Sequence, residues 1–123
     1  MEKKIILKLT LLKRDTLPGG WTVITRLDFK ASHEMLSSRD VVLLDVREEA
    51  EYITGHAVGA ELLPVDEITR ETAAAVIPSE DTPLMVYCRT GRRSAIAAKK
   101  LEELGYTEIY DMGGLVGWPY GLE

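Results

Sequence analysis

The stretch of sequence that decides the fold reads LMVYCRTGRRS and spans residues 84–94. Its first four residues are all apolar or aromatic, which is typical of a strand covered on both faces. Cys88 follows at the carboxyl end of that strand. Residues 92–104 are rich in alanine, carry one apolar face and precede Gly105, a pattern that predicts a helix with a glycine after its end. The stretch therefore predicts a buried strand, a tight loop and a helix.

The same alternation of short apolar runs and helical patterns extends along the chain. The predicted strands are 21–25, 41–44, 62–63, 84–87 and 108–110. The predicted helices are 32–36, 48–53, 66–75 and 92–104, with Ser32 and Asp66 as the N-caps of the first and third. Strands that alternate with helices indicate βαβ units and a parallel sheet covered on both sides.

Length and composition limit the class of protein. A chain of 123 residues fits one domain, and its net charge of -5 gives no reason to expect nucleic-acid binding. No apolar run approaches the length of a membrane span. The chain has one cysteine, which excludes an internal disulfide and a cysteine-based metal cluster and favours a reducing compartment, so we expect a cytoplasmic protein.

Residues 16–20 read TLPGG, a turn signal that predicts a boundary between an N-terminal extension, residues 1–20, and a domain spanning 21–121. The first twelve residues are interpreted as an amphipathic segment, since Lys8 interrupts their apolar run and no signal-peptide cleavage site follows. Residues 122–123 are expected to be a cloning remnant.

The surroundings of Cys88 favour a reactive thiolate. In open parallel sheets, ligands bind beyond the carboxyl ends of the strands, where Cys88 is expected. Free backbone N–H groups at the helix start favour negative charge, and Gly91 allows a tight loop with those groups turned inward. Arg89, Arg92 and Arg93 add positive charge. These features predict a nucleophile, whereas the alternative is a small buried apolar residue.

Three segments resemble those of the rhodanese-like family. They are the loop at 88–93, the stretch LDVREEAEYITGHAVGA at 44–60, and MGGLVGW at 112–118. The resemblance covers residues 27–120, and the motifs stand in the family's order and spacing. It implies a five-stranded, mainly parallel sheet flanked by helices on both faces. It also implies a catalytic loop in which Cys88 carries sulfur as a persulfide, held by Arg89, Thr90, Gly91, Arg92 and Arg93.

The resemblance also implies an activity: a single-domain sulfurtransferase that moves sulfane sulfur from a donor such as thiosulfate to cyanide or a thiol through a persulfide on Cys88. The expected partners are a small-molecule donor, a thiol or cyanide acceptor and a sulfur-relay protein. Neither a cofactor nor a metal is expected, and neither is a nucleic acid or a membrane. The chain is expected to act as a monomer.

Two alternatives stay open at this point. The related cell-cycle phosphatases have a loop one residue longer that usually follows a histidine, whereas here Tyr87 precedes a six-residue loop. Sulfur chemistry is therefore favoured over a phosphatase or an arsenate reductase. The two-domain thiosulfate enzymes carry lysine and arginine at the positions of Thr90 and Glu51. Their absence leaves a non-catalytic persulfide carrier or interaction module as the alternative function.

Asp45 and Arg47 follow the predicted strand at 41–44 and should lie at the same sheet edge as Cys88. They are interpreted mainly as a supporting ion pair that shapes the loop, with substrate contact as the alternative. His56 is expected to fix a turn through hydrogen bonds.

The acidic residues at 48, 49 and 51 are interpreted as a solvated helix face. Residues 112–114 are predicted to form a tight turn, and Trp118 is expected in the core.

Overall fold

The structure is a computed structural model that describes residues 23–123. The predicted N-terminal extension, residues 1–20, and the predicted start of the first strand at Trp21 lie outside the described residues. The strands are β1 Val23–Arg26, β2 Val42–Asp45, β3 Glu61–Leu62, β4 Leu84–Cys88 and β5 Glu108–Gly114. The helices are α1 Phe29–Ser38, α2 Glu49–Thr54, α3 Arg70–Val76 and α4 Arg92–Glu103, with a 3-10 turn at Val65–Glu67.

The five strands form one parallel sheet in the order β1-β5-β4-β2-β3. One hydrophobic core packs residues of α3 and α4 against one face, and a second core packs residues of α1 against the other. The predicted five-stranded parallel sheet with helices on both faces is thereby confirmed. Among residues 23–123, no helix is both long enough and apolar enough to cross a membrane.

β4 is the central strand, and all of its residues are buried. Leu84, Val86 and Cys88 belong to the core beneath α3 and α4, whereas Met85 and Tyr87 belong to the opposite core. Because both faces of the strand are covered, the alternation of polar and apolar residues seen in half-exposed strands is lost. This accounts for the apolar run that leads to Cys88 and places its sulfur at the sheet's carboxyl edge.

Two predicted helix caps are wrong. The Asp28 side chain caps α1 by accepting the Ala31 N–H at 2.8 Å, while Ser32 lies inside the helix, fully buried, with no hydrogen-bond partner for its hydroxyl. The helix begins before the residue that was expected to cap it. Asp66 lies in the 3-10 turn that follows Pro64, and Thr69 caps α3 instead.

The last strand is longer than predicted. β5 continues to Gly114 because it pairs with β1 on one side and with β4 on the other. The register between β4 and β5 shifts between Val86 and Tyr87, and the pairing then continues to Gly114. Residues 112–114 therefore belong to a strand rather than to the predicted tight turn. Their backbone is presented directly to the loop that follows Cys88.

The two candidate caps of α1 can be told apart by stability. Asp28→Ala should lower the free energy of unfolding by about 1 kcal/mol because it removes the acceptor of a helix N-terminal N–H. Ser32→Ala should leave stability unchanged or slightly raised, since a buried hydroxyl without a partner is unfavourable. Urea denaturation of both variants measures this, and a larger loss in S32A than in D28A would contradict the assignment.

Candidate active site

The candidate site lies where the ends of three neighbouring strands meet. β4 lies between β2 and β5, with Tyr87 in register with Asp45 and Cys88 in register with Gly114. Strand pairing thus brings together the three segments at 44–60, 88–93 and 112–118, and it places Asp45 at the sheet edge of Cys88, as predicted. The carboxyl edge of a parallel sheet is where such domains bind ligands.

The loop after Cys88 curls around the sulfur. The Gly91 N–H donates a hydrogen bond to Cys88 Sγ at 3.0 Å, and Gly91 adopts a φ of 107° as the N-cap of α4. Ser94 Oγ donates to the Gly91 carbonyl at 3.0 Å, and the Leu115 N–H donates to the Cys88 carbonyl at 2.8 Å. Cys88 is 0% exposed, so the loop encloses its sulfur.

Gly114 sets how closely the loop approaches the sheet. A Cβ added there would lie 2.8 Å from Thr90 Cα and closer still to the Arg89 carbonyl oxygen. The φ of Gly114 is not in the left-handed region, so the requirement for glycine at this position is steric. The loop and the end of β5 therefore meet backbone to backbone, which only a residue without a side chain permits.

Arg93 and Glu51 form a bidentate ion pair beside the loop. Arg93 Nη1 and Nη2 donate to the two Glu51 carboxylate oxygens at 2.7 and 2.9 Å, and the Glu48 N–H donates to Glu51 Oε1 at 3.1 Å. The hydrogen bonds from Arg93 lower the pKa of Glu51 to about 2. Hydrogen bonding to Glu51 raises the pKa of Arg93, and the charge of Glu51 raises it further.

The predicted solvated acidic face is thus correct for Glu48 and Glu49, which are exposed, and wrong for Glu51, whose side chain is only 30% exposed and paired. The other two arginines of the loop, Arg89 and Arg92, are exposed and form no salt bridge with any described residue. Thr90 is also exposed.

Asp45 and Arg47 form a buried ion pair. Arg47 Nη2 donates to Asp45 Oδ2 at 2.7 Å and to the Gly55 carbonyl at 2.7 Å, and Arg47 Nε donates to Asp45 Oδ1 at 3.0 Å. The hydrogen bonds to Asp45 raise the pKa of Arg47. The pair links the end of β2 to the end of α2, and Arg47 also lines a cavity at the mouth of the site.

Tyr87 is a site residue whose contacts the sequence analysis missed. Its hydroxyl donates to Asp45 Oδ2 at 2.6 Å and accepts the Ala57 N–H at 3.0 Å. Burial raises the pKa of Tyr87, and the hydrogen bond to Asp45 raises it further. A tyrosine in a fully apolar strand needs a partner for its hydroxyl, and that requirement was the available signal. The residue before Cys88 is thereby tied to β2 and to the turn at Ala57.

His56 packs in the neighbouring turn. Its ring stacks on Tyr52 with the centroids 3.7 Å apart, and its Nδ1 lies 2.9 Å from the Tyr52 carbonyl oxygen. The Glu123 N–H donates to the His56 carbonyl at 2.8 Å, and Leu122 forms an isolated β-bridge with Ala57, so residues 122–123 also contact this turn. These contacts agree with the turn-fixing role expected for His56.

Two cavities open on either side of the loop. The larger, of about 560 Å³, lies between the ends of β1 and β5, and the smaller, of about 410 Å³, lies beside α2. Arg89 and Val116 line both and form the ridge between them. Glu51, Arg47 and Trp118 line the smaller cavity. Trp118 packs against the core, as predicted, but is only partly buried.

The fold and the candidate site together form a parallel five-stranded sheet whose central strand ends in a cysteine, followed by a loop at a helix start. This combination is the one that the resemblance implies for the rhodanese-like family. A family model described as the rhodanese-like domain matches residues 29–119. The chain belongs to the rhodanese-like family.

Three individual relatives agree with this family assignment. The chain is 38% identical over 72 residues to the thiosulfate sulfurtransferase PspE of Escherichia coli, a match that covers 58% of this chain and 68% of PspE. A solved rhodanese with anions from E. coli is similar with a TM-score of 0.61 and 34% identity, covering 68% of this chain and 96% of that one. The human single-domain sulfurtransferase TSTD1 has a TM-score of 0.61 and 25% identity, covering 70% and 86%.

The packing at Gly114 can be tested by adding one methyl group. Gly114→Ala should lower the free energy of unfolding by about 1–3 kcal/mol, because the loop backbone has to shift to admit the Cβ. Chemical denaturation measures the change. A G114A variant as stable as the parent would contradict the close approach of loop and strand.

The ion pair between Glu51 and Arg93 should contribute to the pH dependence of the free energy of unfolding in acid. The folded-state pKa of about 2 lies below the usual value of 4.5, so this contribution is present above the usual value and is lost as the pH falls towards 2. Its size is reduced by solvent screening, since the pair is 30% exposed. Glu51→Gln should therefore flatten the loss of stability between about pH 5 and pH 2, as measured by denaturation at several pH values.

The matched control for this measurement is Glu49→Gln, which removes an exposed carboxylate from the same helix. It should retain the parent's acid dependence. Equal flattening in both variants would show that the general loss of charge, and not the pair with Arg93, is responsible.

Proposed function

We propose that the protein is a sulfurtransferase that carries sulfane sulfur as a persulfide on Cys88. The observation that carries the proposal is the enclosed sulfur of Cys88, which accepts the Gly91 N–H at the start of α4. Similarity to the thiosulfate sulfurtransferase PspE supports it. The loop from Cys88 to Arg93 has the six-residue length that favours a sulfur atom over a phosphoryl group.

In the first half of the reaction, the Cys88 thiolate attacks the outer sulfur of the donor. With thiosulfate, a bond forms between Sγ and the outer sulfur while the bond between the two sulfur atoms of thiosulfate breaks. Its electron pair leaves with sulfite, and the persulfide retains one negative charge. No proton is transferred and no external oxidant or reductant is required.

The loop backbone is suited to hold this product. The N–H groups between Arg89 and Arg93 have no partner inside a regular helix, and together with the dipole of α4 they favour a negative charge at the terminal sulfur. Since Cys88 is 0% exposed, we infer that the loop must open slightly to admit the donor sulfur.

In the second half, a thiophilic acceptor takes the terminal sulfur and releases the Cys88 thiolate. The acceptor must come from outside because the chain has one cysteine and cannot form an internal disulfide. Cyanide would yield thiocyanate, and a thiol would yield a new persulfide, either on a small molecule or on a sulfur-relay protein. We extend the proposal to a monomer in the cytoplasm, where reducing conditions keep a single thiol free.

A persulfide carrier with little turnover is the second candidate. It is favoured by the pairing of Arg93 with Glu51, which leaves one loop arginine neutralised, and by the neutral side chain of Thr90. Such a module would accept sulfur at Cys88 from a donor protein and present it to another, without releasing small-molecule products quickly.

Replacement of Cys88 tests the proposal. After incubation with thiosulfate, the parent protein should gain the mass of one sulfur atom, and Cys88→Ser should gain none because a hydroxyl cannot form a persulfide. Thiocyanate formation from thiosulfate and cyanide should fall by more than about 10³-fold, since the nucleophile is lost. Intact-mass spectrometry and a thiocyanate assay measure the two effects.

The two measurements also separate the candidates. Parent protein that gains sulfur but forms thiocyanate no faster than C88S would identify a carrier. Parent protein that gains no sulfur, or C88S that gains as much sulfur as the parent, would contradict both candidates.

A further inference from the structure

Arginine side chains near Cys88 give the site less positive charge than their number suggests. The loop itself contains Arg89, Arg92 and Arg93, and Arg47 lines the cavity beside it. A binding site for a strongly anionic donor would leave these charges free to contact it. In the structure, two of the four are already paired with carboxylates.

Arg93 is neutralised by Glu51. Both carboxylate oxygens accept hydrogen bonds from its guanidinium, at 2.7 and 2.9 Å, in the parallel geometry that makes such pairs strong and well oriented. The Glu48 N–H holds the same carboxylate from the other side at 3.1 Å. Glu51 also lines the 410 Å³ cavity, so its charge faces the space next to the loop.

Arg47 is neutralised in the same way by Asp45, with a shortest N···O distance of 2.7 Å. Arg89 and Arg92 form no salt bridge with any residue in the range 23–123, but both are exposed. Water and salt screen exposed charges strongly, so these two arginines offer a weaker attraction than a part-buried guanidinium would.

We infer that Glu51 is a specificity-determining residue that makes the site unfavourable for dianionic donors and favours sulfane-sulfur donors with a single negative charge. Small persulfides and thiosulfonates belong to this class. The inference rests on the proposed function, because it concerns the donor that loads Cys88.

Two donors allow the charge to be varied while the reacting bond is kept. Thiosulfate carries two negative charges and releases sulfite. Methanethiosulfonate carries one and releases methanesulfinate, with the same attack of the thiolate on the outer sulfur and the same cleavage of its bond to the oxidised sulfur. In each reaction the total charge is conserved, and the persulfide formed on Cys88 is the same.

Glu51→Gln is the decisive variant. Glutamine can still accept the Glu48 N–H, so the start of α2 should be retained, while the charge of Arg93 becomes unbalanced. We expect kcat/KM to rise about tenfold for thiosulfate but only about threefold for methanethiosulfonate, because a Coulomb energy is proportional to the charge on the donor. Glu49→Gln, which removes an exposed charge outside the cavity, should change neither.

An equal change for both donors, or a decrease with thiosulfate alone, would overturn the inference. A second measurement needs no variant: in the parent protein, sulfate should compete no better than methanesulfonate against the donor, and a more than about tenfold preference for the dianion would also overturn it. These failures differ from that of the proposed function, in which neither donor would add sulfur to Cys88.

Discussion

The backbone contact between the cysteine loop and the end of β5 is the constraint on which the site depends. Gly114 lies so close to Arg89 and Thr90 that no side chain fits between them. This contact fixes the path of the loop and allows Gly91 to turn its N–H towards the sulfur of Cys88. The central strand, the loop and the helix start therefore act as one unit, and their geometry is set by main-chain atoms.

A buried carboxylate supports this unit from the side of β2. Asp45 accepts hydrogen bonds from Arg47 and from Tyr87, the residue before Cys88, so its charge is compensated where water is absent. A charge buried in this way would be costly without its partners. Loss of either partner would leave the Asp45 carboxylate incompletely compensated in an apolar core. The network thus holds Tyr87, the residue of β4 before Cys88, while the pair of Glu51 and Arg93 leaves less unpaired positive charge beside the loop.

The local parts of the fold and site could be predicted from sequence, whereas the long-range pairings could not. The strand, loop and helix around Cys88 follow from neighbouring residues alone. The N-cap of α1 was assigned wrongly because Asp28 and Ser32 are both good capping residues, and only packing against the sheet decides which one lies outside the helix. The pairing of Glu51 with Arg93 joins residues 42 positions apart and depends on how α2 and α4 are placed by the sheet.

The full enclosure of Cys88 has a consequence for the chemical stability of its thiol. Two copies cannot join through a disulfide while each sulfur is covered by its own loop, and peroxide meets the same barrier. Oxidation to sulfinic acid, which is irreversible for most proteins, would then require the loop to open first. The loop that encloses the sulfur of Cys88 therefore also protects the thiol from irreversible oxidation.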